Sequence, residues 1–267
     1  MDDFSKSLVF PIPTIEELKE AGRNYRKNSG QGCSECNYTG FIAKSTGSFM
    51  CSCIKEKIFN DLFIKASIPK KYLGKQIHDW NTRTDDLGND LGLLQSTSEN
   101  IAKLMQSYER NFHNICSGNP PKLIHSINVR TNLSNICFFG LNGSGKTFIA
   151  SVMVQTAIRK NLTAKYYDWT DMLQLLTDFD KKKELDEMAE EFKNFDFISI
   201  DGIENFNYSS SYLSMQLDRL CKARINSGKP YMLFGIGDIE KISTSSGWQS
   251  LISNCLSIRL PHAIKKS

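Results

Sequence analysis

The segment Gly140-Leu-Asn-Gly-Ser-Gly-Lys-Thr147 leaves the rest of the chain least freedom. It fits G-x-x-x-x-G-K-[ST] in full, with the apolar run Asn135–Phe139 before it and a helical pattern from Lys146 after it. A strand, a glycine-rich turn and a helix in that order form a phosphate cradle. The glycines let the backbone curl until successive N–H groups point at phosphate oxygens, and the helix offers its positive end to the same charge. Gly140, Asn142, Gly143, Ser144 and Gly145 are the expected loop contacts. Lys146 is expected to reach the β- and γ-phosphates, and Thr147 to offer its hydroxyl to Mg²⁺. The expected ligand is ATP. A glycine-rich turn without a ligand is the competing reading, and the strand and helix on either side argue against it.

Downstream, short apolar runs alternate with helical patterns. Strands are predicted at Asn135–Phe139, Ala164–Tyr167, Asp196–Ile200, Tyr231–Ile236 and Leu256–Leu260. Helices are predicted at Lys146–Lys160, at Thr170–Phe179 with Thr170 as its cap, at Lys181–Phe192 and at Ser209–Asn226. The alternation implies an α/β core: a mostly parallel sheet flanked by helices on both faces. Upstream, Thr14 and Glu17 read as a capping box. Helices are also predicted at Ile54–Ala66 and Thr97–Ile115, with a polar loop at Asn81–Asn89. The expected organisation is residues 1–66 as an N-terminal helix and metal-binding domain, 67–121 as a linker and helical segment, and 122–267 as the nucleotide-binding core.

The 267 residues are 40% hydrophobic and 23% charged, the balance of an ordinary globular protein. No run is apolar for the length of a membrane span. The start, Met1-Asp2-Asp3-Phe4, is acidic and does not read as a secretory signal, so a cytoplasmic location is expected. A net charge of +4 permits nucleic-acid contact without arguing for it.

A P-loop needs a second element, an apolar strand ending in an acid. Phe195-Asp-Phe-Ile-Ser-Ile-Asp201 fits, and Asp201 is expected to hold Mg²⁺ through water. Many hydrolytic P-loop enzymes place a carboxylate directly after this acid to polarise the attacking water. Gly202 stands there, and the next acid is Glu204. Either Glu204 is presented by a distorted strand end, or the base is weak or absent.

Cys33-x-x-Cys36 and Cys51-x-Cys53 make two chelating pairs. Two tight turns bring four thiolates around Zn²⁺ and leave no open position, so the site would be structural. Tyr38 and Phe41 supply a small apolar core that cannot hold a segment this short together unaided. Four reduced cysteines without metal is the alternative, and a redox role for Cys33 and Cys36 a minor one. Cys116, Cys137, Cys221 and Cys255 are scattered and read as small buried residues. Lys44, Lys55, Lys57, Lys65, Lys70, Lys71 and Lys75 lie near Tyr72 and Trp80. That mixture suits either backbone contact with base stacking or a plain solvated face.

Four further segments carry a family resemblance: Ala66-Ser-Ile-Pro-Lys-Lys-Tyr72, Tyr167-Asp-Trp-Thr-Asp-Met-Leu173, Phe197–Asp201, and the helix Leu217–Ser227 running on to Pro230. With the P-loop they resemble the DnaC/DnaI/IstB group of AAA+ ATPases, which load replicative helicases or assist transposition. The resemblance covers roughly residues 66 to 260. A cysteine-bearing N-terminal region is similar to the loaders rather than the transposition helpers. It implies ATP hydrolysis, self-association into a ring or spiral, a helicase or transposition protein as partner, and single-stranded DNA. It also implies that Arg224 acts as an arginine finger in a neighbour's site and that Arg259 is a late sensor arginine. The chain departs from the family at Leu233-Phe-Gly-Ile-Gly-Asp238, where a polar Asn or Thr is expected near the γ-phosphate, and at Gly202. Few residues follow Arg259, so any C-terminal lid is expected to be minimal. Three readings follow: a helicase loader, an IstB-like transposition helper, or a weakly hydrolysing nucleotide-gated regulator of a replication or transposition partner.

Overall fold

The computed structural model describes residues 33, 35–36, 41–44, 47–120, 134–204, 211–237 and 246–263. The chain divides into two compact units, Met1–Lys65 and Ala66–Ser267. The helix capped by Thr14, and Tyr38 and Asp238, lie outside the described residues.

In the first unit, β1 (Phe41–Lys44) and β2 (Gly47–Met50) form an antiparallel hairpin, paired from Phe41↔Met50 to Lys44↔Gly47. The helix α1 (Ser52–Lys65) follows directly, two residues earlier than the apolar pattern predicts. Phe59 and Phe63, one turn apart, stack with ring centroids 5.9 Å apart.

The α-helices of the second unit begin with α2 (Gln95–Arg110) and α3 (Phe112–Cys116). Then come β3 (Ile136–Gly140), α4 (Lys146–Arg159), β4 (Ala164–Asp168), α5 (Trp169–Thr177), α6 (Lys182–Asn194) and β5 (Phe197–Ile203). The unit ends with α7 (Ser211–Ser227), β6 (Tyr231–Ile236), α8 (Ser246–Ile252) and β7 (Leu256–Arg259). The five strands form one parallel sheet in the order β4-β5-β6-β3-β7. Its strands read as apolar runs rather than alternating patterns because both faces are covered. β5 is buried from Phe197 to Asp201, and β6 from Tyr231 to Gly235. Phe138 and Phe234 stack across β3 and β6 at 5.2 Å.

Two local expectations change. The single helix expected over Thr97–Ile115 is interrupted at Asn111, whose Nδ2 donates to Ser107 O at 2.8 Å. The break turns Phe112 onto Phe197 of β5, edge to face at 5.0 Å. The cap of α5 is Asp168, not Thr170: its Oδ1 accepts the Thr170 N–H at 2.8 Å.

Residues 66–94 contain no α-helix and lie as a strap over α4. Gln155, wholly buried, accepts the Gly74 N–H and donates to Tyr72 O, both at 2.8 Å. Arg159 reaches the carbonyls of Gly74 and Lys75, both at 3.4 Å. Farther on, Asp85 gathers its own loop by accepting from Leu87 N at 3.0 Å and Asn89 N at 2.8 Å.

Candidate nucleotide site

The site begins where β3 ends. Gly145 caps α4 with φ +84, and Gly143 has φ +81. Only glycine takes this left-handed backbone without strain. Both also lack room for a methyl group: a Cβ on Gly145 would meet the Trp80 ring at 2.4 Å, and one on Gly143 would meet Leu87 at 2.5 Å. The strap closes on the loop through its backbone as well, where Asp86 N–H donates to Gly143 O at 2.7 Å.

Lys146 is 6% exposed. Its ammonium donates to Gly140 O at 2.9 Å, Leu141 O at 2.7 Å and Ser144 Oγ at 3.3 Å. The loop's own oxygens thus hold a charge that a phosphate would attract more strongly. Burial lowers the Lys146 pKa, and the nearby Asp201 carboxylate opposes that shift.

Asp201 is 4% exposed near the end of β5. Burial raises its pKa, while the Thr147 hydroxyl, the Tyr166 hydroxyl, the Gly202 N–H and Lys146 all pull it down. Tyr166 donates to Oδ2 and Gly202 N–H to Oδ1, each at 2.9 Å. The structure therefore brings Lys146, Thr147 and Asp201 together. A hydroxyl beside a carboxylate is a donor set of hard oxygens, which suits Mg²⁺.

Gly202 has φ +79, and the β5–β6 register shifts between Asp201 and Ile203. The strand end is distorted by a bulge, a device that re-aims the residues beyond it. Glu204 lies exposed just past the strand, and Asn142 is exposed on the loop. Arg259 is exposed on the edge strand β7, level with Phe139, the residue before the P-loop. Strand β6 is apolar, and its described end, Gly235-Ile236, offers no polar side chain where the resemblance implies one.

Arg224 requires a correction. It is 0% exposed. Its guanidinium donates to Phe192 O at 2.9 Å, Phe195 O at 2.7 Å, Asp196 O at 3.3 Å and Pro230 O. It ties the end of α6 and the start of β5 to the turn before β6, and a side chain so enclosed cannot enter a neighbour's site. Burial lowers its pKa to about 10, still far above neutrality. Arg224→Ala is expected to lower stability by about 3–5 kcal/mol in chemical denaturation, because several buried carbonyls lose their donor at once. A finger would instead show unchanged stability and lost turnover.

A cleft of about 250 Å³ adjoins the loop, lined by Trp80, Leu91, Ser144, Phe148 and Pro261, with Asp79 and Asp86 among its polar groups. Flat aromatic walls with a few polar groups suit a nucleobase. Of the two aromatics that accompany the upstream lysines, Tyr72 is withdrawn from base stacking, whereas half-buried Trp80 lines this cleft. Tyr72 is buried with its hydroxyl on Asp86 at 3.3 Å, and the Trp80 indole donates to Ser98 Oγ at 2.9 Å. Sequence reading passed over a better candidate, Phe179-Asp-Lys-Lys-Lys183. Phe179 is 70% exposed and packs against Tyr212 at 4.5 Å, and its basic followers were the available signal.

In the first unit the four sulfurs of Cys33, Cys36, Cys51 and Cys53 all lie within 4.8 Å of one another. Cys33 and Cys51 are 3.6 Å apart, and Cys36 and Cys53 3.7 Å. Tetrahedral zinc with bonds of roughly 2.3 Å separates its sulfurs by about 3.8 Å, so the four thiols fit such an ion. Backbone N–H groups of Cys36 and Glu35 lower the Cys33 pKa and favour its thiolate form.

With this geometry in view, comparison with known proteins places the core. The sequence profile of the family described as IstB-like ATP binding protein matches residues 93–222. These residues form an IstB-like ATP-binding domain. The matched span holds the P-loop, Tyr166 and Asp201, but not Arg224 or Arg259. No curated protein is a significant sequence match. Among solved structures, the DnaC helicase loader aligns with a TM-score of 0.53 at 12% identity, covering 72% of this chain and 99% of that one. DnaI aligns with a TM-score of 0.53 at 9% identity, covering 76% and 99%. AMPPCP-bound DnaA from Aquifex aeolicus aligns with a TM-score of 0.50 at 13% identity, covering 72% of this chain and 51% of that one. This chain therefore spans about half the length of that DnaA. At such identities the likeness is one of fold: the IstB-like domain sits in an α/β, P-loop ATPase-like core. Among the described residues, no helix is long and apolar enough to cross a membrane.

Proposed function

We propose that this chain is a cytoplasmic ATPase that loads or remodels a replicative DNA helicase on single-stranded DNA, self-associating into a ring or spiral when ATP is bound. The convergence of Lys146, Thr147 and Asp201 on an IstB-like domain carries this reading. Gly140 to Gly145 and Lys146 hold the phosphates. Thr147 and Asp201 hold Mg²⁺, which when bound neutralises charge building on the phosphate oxygens. Glu204 orients water, Arg259 contacts the nucleotide, and the neighbour's catalytic cation is a residue other than Arg224. The four cysteines hold a structural Zn²⁺ that shapes the partner-binding unit. Residues 67–121 serve as the connection between that unit and the core, although they pack within the second unit.

DNA contact is supported by the surface at Phe179 and Tyr212. Met215, 58% exposed, lies three residues beyond Tyr212 on α7. Lys181 and Lys183 follow Phe179, with side chains 50% and 85% exposed in surface ion pairs with Asp178 at 3.4 Å and Glu187 at 3.9 Å, which a phosphate backbone would replace. Exposed aromatics beside lysines stack bases and follow a phosphate backbone. Phe179→Ala is expected to weaken binding of an oligo(dT) strand by about tenfold, since stacking is worth roughly 1–3 kcal/mol per base. Fluorescence anisotropy measures this, and undiminished affinity counts against the surface.

The matched family itself favours a second reading, an IstB-like transposition helper; a transposase partner and filaments on duplex DNA distinguish it. The bulge at Gly202 favours a third, a regulator that scarcely turns over. The deciding experiment is ATP turnover, alone and with single-stranded DNA, beside Glu204→Gln and Lys146→Ala variants. Turnover that rises with DNA and vanishes in both variants supports the motor. Tight ATP binding without turnover supports the regulator.

A further inference from the structure

Tyr166 belongs neither to the P-loop nor to the acid-bearing strand, yet its hydroxyl is committed to Asp201. The side chain is 3% exposed, and the hydroxyl donates to Oδ2 at 2.9 Å. The burial of a phenol costs free energy that a phenylalanine in the same pocket would avoid, unless the hydroxyl finds a partner. Its backbone is held on both sides. On one, Tyr166 pairs with Ser199 in the parallel ladder with β5. On the other, its N–H donates to Ala66 O at 2.9 Å, so this outer edge of the sheet is tied to the start of the strap. The hydroxyl is thus delivered to a fixed point.

Asp201 needs such fixing. It is nearly enclosed, and burial works against its charged form. Gly202 N–H occupies Oδ1, and the Thr147 hydroxyl approaches from the P-loop side. Without the Tyr166 hydroxyl, Oδ2 loses the donor that fixes it.

We infer that Tyr166 is a positioning residue for the nucleotide's magnesium, holding the Asp201 carboxylate in one orientation. The inference rests on the reading of Asp201 and Thr147 as the Mg²⁺ residues. Partners of metal-site carboxylates act in this way, and their removal costs roughly 10–100-fold in metal affinity.

The test uses the full chain and AMPPCP, whose binding is followed calorimetrically while Mg²⁺ is titrated. Tyr166→Phe is expected to raise the half-saturating Mg²⁺ concentration about tenfold, while AMPPCP affinity in EDTA stays unchanged. Tyr167→Phe is the control. It removes a neighbouring buried hydroxyl that donates to Glu191 at 2.7 Å rather than to Asp201, and should leave the Mg²⁺ midpoint where it is. An unshifted midpoint in Tyr166→Phe, or an equal shift in both variants, overturns the inference. So does loss of cooperative melting in Tyr166→Phe alone, which would assign the hydroxyl to the core. Equal AMPPCP binding by the wild type and Lys146→Met would instead remove the nucleotide reading beneath it.

Discussion

Lys146→Met is expected to weaken ATP binding about a hundredfold or more, measured by calorimetry in the presence of Mg²⁺, while the folded core persists. Methionine keeps the buried stem but removes the ammonium. That group makes three contacts to Gly140, Leu141 and Ser144 within the loop. Two charge-assisted hydrogen bonds to phosphate at roughly 1.5 kcal/mol or more each amount to about two decades of affinity. Stability should change little by comparison, because the substitution removes a buried charge along with its bonds. A Met variant that binds ATP as the wild type does would show that the loop holds its ligand without this lysine, and the site would need rebuilding from the backbone outwards.

Removal of metal from the four-cysteine cluster is expected to be the largest structural perturbation of the first unit. The described elements there are a four-residue-a-side hairpin and one helix, too little to bury a self-sufficient core. Structural zinc in such small folds contributes roughly 10–16 kcal/mol of apparent binding free energy. Elemental analysis of the purified protein should return one zinc per chain. A strong chelator, or Cys36→Ser with Cys51→Ser, should abolish amide protection in the hairpin and in α1 as read by hydrogen exchange. The five-stranded sheet, which has its own buried core, should keep its protection. Retention of hairpin protection without metal would mean that four reduced thiols suffice.

The parts of this molecule that were legible in its sequence are those governed by local rules. The strand–loop–helix at the P-loop is dictated by glycine geometry and by the spacing of Lys146 and Thr147, and it stands where expected. Tyr231–Ile236 was readable as a strand because both its faces are covered and its apolar run has no period to mistake. What escaped was decided by contacts remote in sequence. Arg224 sits near a helix end, where arginines usually face water. Only the meeting of α6, β5 and the turn before β6 supplies the carbonyls that draw it inside. Asn111 breaks a helix whose apolar spacing runs through it unbroken, and beyond the break Phe112 packs on Phe197, a partner remote in sequence. Tyr166 gave no signal at all, since one buried tyrosine in a strand looks like any other until its hydroxyl is seen on Asp201. The bulge at Gly202 was legible as a missing acid and, as one of two options, a distorted strand end, but the left-handed turn that makes the distortion was not.

The strap has a mechanical consequence. It begins at Ala66, where the first compact unit ends, and it reaches Gly143 and Gly145 through Leu87 and Trp80 without an intervening α-helix. Along the way Gln155 and Arg159 pin it to the helix that the P-loop caps. The segment is therefore anchored twice, at Ala66 on β4 and at residues 72–75 on α4, before it reaches the two glycines whose backbone must curl around a phosphate. The rim of the cradle is thus a stretch of chain moored to the sheet and to α4 ahead of it, so the curl of the phosphate loop inherits the stiffness of the core.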